Sequence, residues 1–138
     1  MKHVLSRRDN DCMESISALS SEGWPARVKD IASMMRVSPP TAVEFLEKLK
    51  GMSLVEKGPS GYRLSKKGVT YFNGATRTHR LLETLLVRNG LPIDEACRVS
   101  SSLGIPISEA DLEKLCARMQ HPETCPHGRP IPVSAKHV

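Results

Sequence analysis

Aromatic side chains are scarce: one Trp, two Tyr and two Phe, 4% of 138 residues. Any core must therefore be aliphatic, drawn from the Leu, Ile, Val, Met and Ala that dominate a hydrophobic share of 39%. No apolar run approaches the roughly 18 residues needed to cross a bilayer, and the start of the chain lacks the hydrophobic stretch of a secretory signal. A cytoplasmic protein is expected. Cys12, Cys97, Cys116 and Cys125 are far apart, with no CxxC pair. That spacing argues against a zinc ribbon or a disulfide framework and points to reduced thiols, either buried or acting as isolated metal ligands. A phosphate loop, a paired acid–base set and a nucleophile motif are all missing, so an enzyme is not expected. No internal repeat is visible.

What is present is a basic first half. The formal net charge is +5. Residues 1–70 carry 12 Lys/Arg against 8 Asp/Glu, whereas residues 71–138 carry 8 against 7. The imbalance suits a polyanionic partner for the first half, although an ordinary solvated surface has the same look.

Ser6-Arg7-Arg8-Asp9 has the form of a capping box, because a carboxylate three residues past the cap can reach back to the cap's N–H. Cys12, Ile16 and Leu19 then recur at helical spacing until Glu22-Gly23 closes the segment, with Trp24-Pro25 as connector. Val28, Ile31, Ala32 and Met35 form a second apolar stripe. After the turn Arg36-Val37-Ser38, Ser38 serves as N-cap and Pro39-Pro40 fit the first helical positions, where no backbone donor is missed. A third stripe follows at Ala42, Phe45, Leu46 and Leu49. Leu54–Lys57, the turn residues 58–61 and Tyr62–Leu64 read as strand, turn, strand. Ser65 caps a long helix that ends near Asn89-Gly90. A fifth helix starts near Pro92 with Ile93, Ala96 and Cys97 on its apolar face. A sixth opens at Ser108, with Leu112, Leu115, Cys116 and Met119 inward. The proline-rich tail from His121 is expected to be irregular.

Helix, helix, short turn, helix, hairpin is the order of a winged helix-turn-helix. The expected fold is therefore mainly α with a small β-hairpin. An N-terminal winged helix-turn-helix (residues 1–70) precedes a helical dimerisation domain (residues 71–138). A helix laid in the major groove reads bases with its N-terminal, outward-facing residues. Candidate contacts are Ser38, Pro39, Thr41 and Glu44, with Lys48 meeting phosphate; Glu47 reads as solvated. On and after the hairpin, Lys57, Arg63 and Lys66 would neutralise phosphates. One such motif grips weakly, so a homodimer on a double-stranded operator is expected, with its contacts after residue 65.

At this point the chain resembles the iron- and manganese-dependent repressors, the diphtheria-toxin-repressor and manganese-transport-regulator group, over roughly residues 6–132. The resemblance rests on Val37-Ser38-Pro39-Pro40-Thr41-Ala42, on Thr78-His79-Arg80-Leu81-Leu82-Glu83 and on Asp94-Glu95-Ala96-Cys97-Arg98. It extends to His121-Pro122-Glu123-Thr124-Cys125-Pro126-His127-Gly128 with Pro130-Ile131-Pro132. It implies a divalent metal bound between the two domains that organises the first helix for operator binding, in a two-domain form without the SH3-like third domain of some members.

By that resemblance Asp11 and Glu14 match two acidic first-helix positions, His79 the long-helix histidine, and Cys97 a position held by Cys or Glu. Glu83 lies one turn beyond His79. The group's following Glu and His are Ser100 and Ser101 here, and the histidine of the iron-type second site is absent. A binuclear manganese site is therefore not expected. Three outcomes stay open. A mononuclear site of Asp11, Glu14, His79 and Cys97 could hold Zn²⁺, Fe²⁺ or Mn²⁺, and would suit Zn²⁺ better than Mn²⁺. The site could have decayed. Alternatively Cys12, Cys125 or His127 replaces the missing pair, although Cys125 and His127 recur in members with full ligand sets and read first as structural. Each residue also has a plain role: Cys97 in a core, His79–Glu83 as a helix-surface pair, Asp11 and Glu14 favouring the helix dipole. The expected function is a sequence-specific, divalent-metal-responsive repressor. The alternative is a metal-independent or thiol-based redox regulator that pairs Cys97 with Cys12 or Cys125.

Overall fold

The structure, a computed structural model, describes residues 5–20, 25–103 and 107–133. Two compact units divide between Phe72 and Asn73. Among the described residues there are six helices and one two-stranded hairpin. The expected closure of the first helix at Glu22-Gly23, and Trp24 of the connector, lie outside them.

In the first unit, α1 (Arg7–Leu19) opens with the expected capping box: Asp9 N–H donates to Ser6 Oγ, and Ser6 N–H returns to the Asp9 carboxylate at 2.7 Å. α2 (Val28–Met35) buries Ile31, Ala32 and Met35 and ends on Arg36 in the left-handed region at φ 56°. The chain then turns into α3 (Pro39–Gly51), capped by Ser38, with proline at its first two positions. Cys12, Met13, Ile16, Ile31, Leu46 and Leu49 are at most 2% exposed and form one aliphatic core with Leu54, Val55 and Tyr62. Phe45 is only partly buried against it.

β1 (Val55–Gly58) pairs antiparallel with β2 (Gly61–Leu64), Val55 opposite Leu64 and Gly58 opposite Gly61. The connector does more than connect. Ala26 forms a two-way bridge to Tyr62, N–H to carbonyl at 2.7 and 2.8 Å, and so extends the hairpin by one residue of a third strand. Gly61 permits this approach: its φ is 142°, and a Cβ there would stand 2.4 Å from the Ala26 carbonyl oxygen.

α4 (Lys66–Arg88) starts in this unit, where Gly68 N–H donates to the Ser65 hydroxyl. In the second unit the rest of α4 is joined by α5 (Ile93–Leu103) and α6 (Glu109–Arg118). Leu81, Leu112, Cys116, Met119, Cys125 and Ile131 make a second, smaller core. Ile93, expected on the buried face of α5, is 41% exposed; Ala96 is fully buried and Cys97 half-buried. The inward face of α5 is thus narrower than its apolar residues suggest. Arg77, deeply buried, donates to Glu109 at 2.9 Å and to Glu113 at 2.6 Å, tying α4 to α6.

The proline-rich tail holds no helix or strand over its described residues, as expected, yet its backbone is hydrogen-bonded. Cys125 N–H donates to Arg129, Gly128 to Cys125 and Ile131 to Glu123, each at 2.8 Å. Arg80 also holds the Pro130 carbonyl. Proline removes donors but fixes φ, and the remaining donors close a tight loop that sends Cys125 and Ile131 into the core.

Candidate metal centre and nucleic-acid interface

Helical spacing puts His79 and Glu83 on one face of α4. Glu83 is the centre of the arrangement. Its side chain is 2% exposed, and each carboxylate oxygen faces an imidazole: Oε2 lies 3.0 Å from His79 Nε2, and Oε1 lies 2.6 Å from His127 Nδ1. Cys97 on α5 brings its sulfur to 3.8 Å from the same His79 nitrogen. Two overlapping sets share Glu83, one with His79 and Cys97, the other with Cys125 and His127. Within each, the ligand atoms lie within 4.8 Å of one another.

A buried carboxylate is costly without partners, and here two imidazoles provide them. The same five side chains supply oxygen, nitrogen and sulfur donors from α4, α5 and the tail loop. Thiolate and imidazole together suit Zn²⁺ or another borderline-soft ion, whereas Mn²⁺ prefers oxygen. The residues present therefore fit a divalent metal. Ser100 is buried, and its hydroxyl has no hydrogen-bond partner among the described residues.

His79, Glu83 and Cys97 of the expected ligands are thus brought together. Cys125 and His127, read first as structural, join them, because the folded tail places them beside Glu83. Asp11 and Glu14 belong to the first unit and line a surface depression of about 350 Å³ with Arg8, Ser15 and Met35. Asp11 also lies 3.9 Å from Arg8. Cys12, considered both as a metal ligand and as a redox partner, is fully buried in the first core. Burial, helped by the Asp9 charge, pushes its thiol up to about 12, so it is an inert core residue rather than a reactive one.

On the first unit, the Ser38 hydroxyl accepts from Thr41 N–H and lies 2.9 Å from the Thr41 hydroxyl, so it caps α3. Pro39 and Glu44 are exposed and Thr41 half-buried at the start of that helix. Lys57 lies over the Tyr62 ring at 5.8 Å, Arg63 donates to Glu56 at 3.1 Å, and Lys66 is exposed. Lys48, expected to meet phosphate, makes an ion pair inside the unit. Its ammonium donates to the buried Asp9 carboxylate at 2.7 Å, the stem reaching from α3 to the start of α1. A desolvated carboxylate attracts the ammonium more strongly than a solvated position would.

A helix-turn-helix with a hairpin wing, followed by a helical unit that gathers carboxylate, imidazole and thiol donors, defines a two-unit winged-helix architecture with a candidate metal centre. Comparison with known proteins makes the assignment specific. The model of the iron-dependent repressor N-terminal DNA-binding domain matches residues 4–61, and that of the iron-dependent repressor metal-binding and dimerisation domain matches residues 65–133. The chain belongs to the iron-dependent repressor family.

Among its relatives is an uncharacterised HTH-type transcriptional regulator of Aeropyrum pernix, 32% identical over 110 residues. That match covers 79% of this chain but 61% of the relative, so the chain spans less than two thirds of that protein's length. A hypothetical protein from Sulfolobus solfataricus superposes with a TM-score of 0.79 at 30% identity, covering 94% of this chain and all of the other. The structure of ScaR with bound Zn²⁺ gives 0.69 at 30% identity, covering 94% of this chain and 60% of that one.

Proposed function

We propose that the chain acts as a homodimeric, metal-responsive repressor that binds operator DNA through its first unit and a divalent cation through its second. The observation that carries the metal part is Glu83, a buried carboxylate between two imidazoles with two thiols in reach. A bound cation supplies positive charge at that carboxylate. His79 and Glu83 present donors from α4, Cys97 from α5, and Cys125 and His127 from the tail loop. The substitution of Ser100 and Ser101 for stronger ligands moves the donor set toward sulfur and nitrogen, and so toward Zn²⁺.

For DNA, the start of α3 offers Pro39, Thr41 and Glu44, with Ser38 ordering that turn. Lys57, Arg63 and Lys66 supply phosphate contacts that fix register without reading sequence. Dimer contacts belong to the second unit, in line with the description of the family model that matches it.

The test is binding of the purified chain to duplex DNA selected from a random pool, measured against salt with Zn²⁺ and with chelator. Affinity that falls steeply with salt and rises with Zn²⁺ supports the proposal. Salt-dependent binding indifferent to Zn²⁺ removes its metal part, and no salt-dependent binding removes the DNA part.

A further inference from the structure

We infer that Asp9 is a positioning residue for DNA recognition, and that Lys48 is the strut it holds rather than a phosphate contact. The inference rests on the DNA-binding reading above. Asp9 is fully buried, and its Oδ2 accepts from three donors at once: Ser6 N–H at 2.7 Å, Ser6 Oγ–H at 2.9 Å and Lys48 Nζ at 2.7 Å. One carboxylate therefore fixes both the first turn of α1 and the body of α3.

The face of α3 that carries Thr41 and Glu44 continues to Lys48, two turns further along. A lysine there is ordinarily free to swing toward phosphate. Here its side chain is 46% exposed, yet its ammonium is committed to a carboxylate with none of its surface in water. Leaving Asp9 would strand a buried charge, so the pair is costly to break from either side. A cation already neutralised in this way displaces no counterion from DNA and adds nothing to the salt slope. The pair sets the axial position and rotation of α3 against α1. On that depends whether Thr41 and Glu44 meet base edges, because direct readout needs its donors and acceptors in register.

Three variants test this: Lys48→Met, Asp9→Asn and the double variant, which removes both charges and reports if Lys48→Met alone fails to fold. Each is measured on the selected duplex and on random-sequence duplex across a range of salt. The expected result is that the preference for the selected duplex falls about tenfold in each single variant and no further in the double, with the salt slope unchanged. A slope reduced by about 0.9 in Lys48→Met, with preference intact, would make Lys48 a phosphate contact and overturn the inference. Equal loss on both duplexes at constant slope would overturn it in favour of a purely structural pair. If the unmodified chain shows no salt-dependent binding, the DNA reading itself fails, which is distinct from either outcome.

Discussion

Glu83→Gln is the substitution that bears most on the metal centre. In the metal-free protein it exchanges a buried charge for a neutral amide of the same shape. The amide oxygen can still accept from one imidazole, while the NH₂ faces the other. The loss of one charge-assisted contact is of order 1.5–3 kcal/mol, offset by the smaller desolvation penalty of an amide. A net change within about 1 kcal/mol is expected without metal. With Zn²⁺ the two proteins separate, because Glu83 belongs to both ligand sets. At free Zn²⁺ one hundred times Kd, the unmodified chain gains about 2.7 kcal/mol. For a unit of this size each kcal/mol moves Tm by about 4–8 °C, so a rise of roughly 10–20 °C is expected. The variant should rise by less than about 3 °C at the same Zn²⁺. Thermal unfolding followed by circular dichroism, with Zn²⁺ and with chelator, reads both values. An equal rise in the two proteins would refute the placement of Glu83 at the centre.

Arg77 gives an asymmetric prediction. Glu113, at 2.6 Å and 27% exposed, should cost about 1–2 kcal/mol as Gln, and Glu109, 40% exposed and better solvated, less than about 1; the order is read from chemical denaturation, and a reversal would contradict the geometry. Asp9 sets an acid-side limit. Burial pushes its carboxyl up, but Lys48 and Ser6 together outweigh that and hold it below the ordinary 3.8. Its contribution to stability is therefore fully present above about pH 3.8 and lost as pH falls through the depressed value. Asp9→Asn should flatten the decline of Tm below about pH 4, and an unchanged profile would refute the assignment. On the wing and at the start of α4, replacing Lys57, Arg63 and Lys66 together by Ala should weaken binding to every duplex and lower the salt slope by about 2–3, whereas an unchanged slope would rule out their contacts to phosphate.

Much of the fold could be read locally. The Ser6–Asp9 capping box, the Val28–Met35 stripe, Ser38 before two prolines and Ser65 before α4 are each decided within one or two helical turns. What was hidden depended on residues far apart in sequence. Nothing near Lys48 announces that its ammonium turns to Asp9, 39 positions away, rather than outward. Ala26 bridges to Tyr62 only because the first core brings the connector beside the hairpin. The tail is as irregular as its prolines suggest, but sequence does not show that its remaining donors close a loop, and that loop carries His127 to Glu83 across 44 positions. The part of the candidate site on α4 came from the family resemblance, with Glu83 one helical turn beyond His79, while Cys125 and His127 on the tail stood only as one of three open alternatives. Cys12 carried the same ambiguity as Cys97 in sequence; burial separates them, one sealed in a core and the other half-buried against His79.

The most direct measurement is zinc X-ray absorption on the purified chain loaded with Zn²⁺. The account predicts a mixed shell, with sulfur at about 2.3 Å and nitrogen or oxygen at about 2.0–2.1 Å, whose sulfur component shrinks when Cys97 and Cys125 are replaced by Ser. A shell of oxygen alone, or a chain that retains no Zn²⁺ after gel filtration, would contradict it.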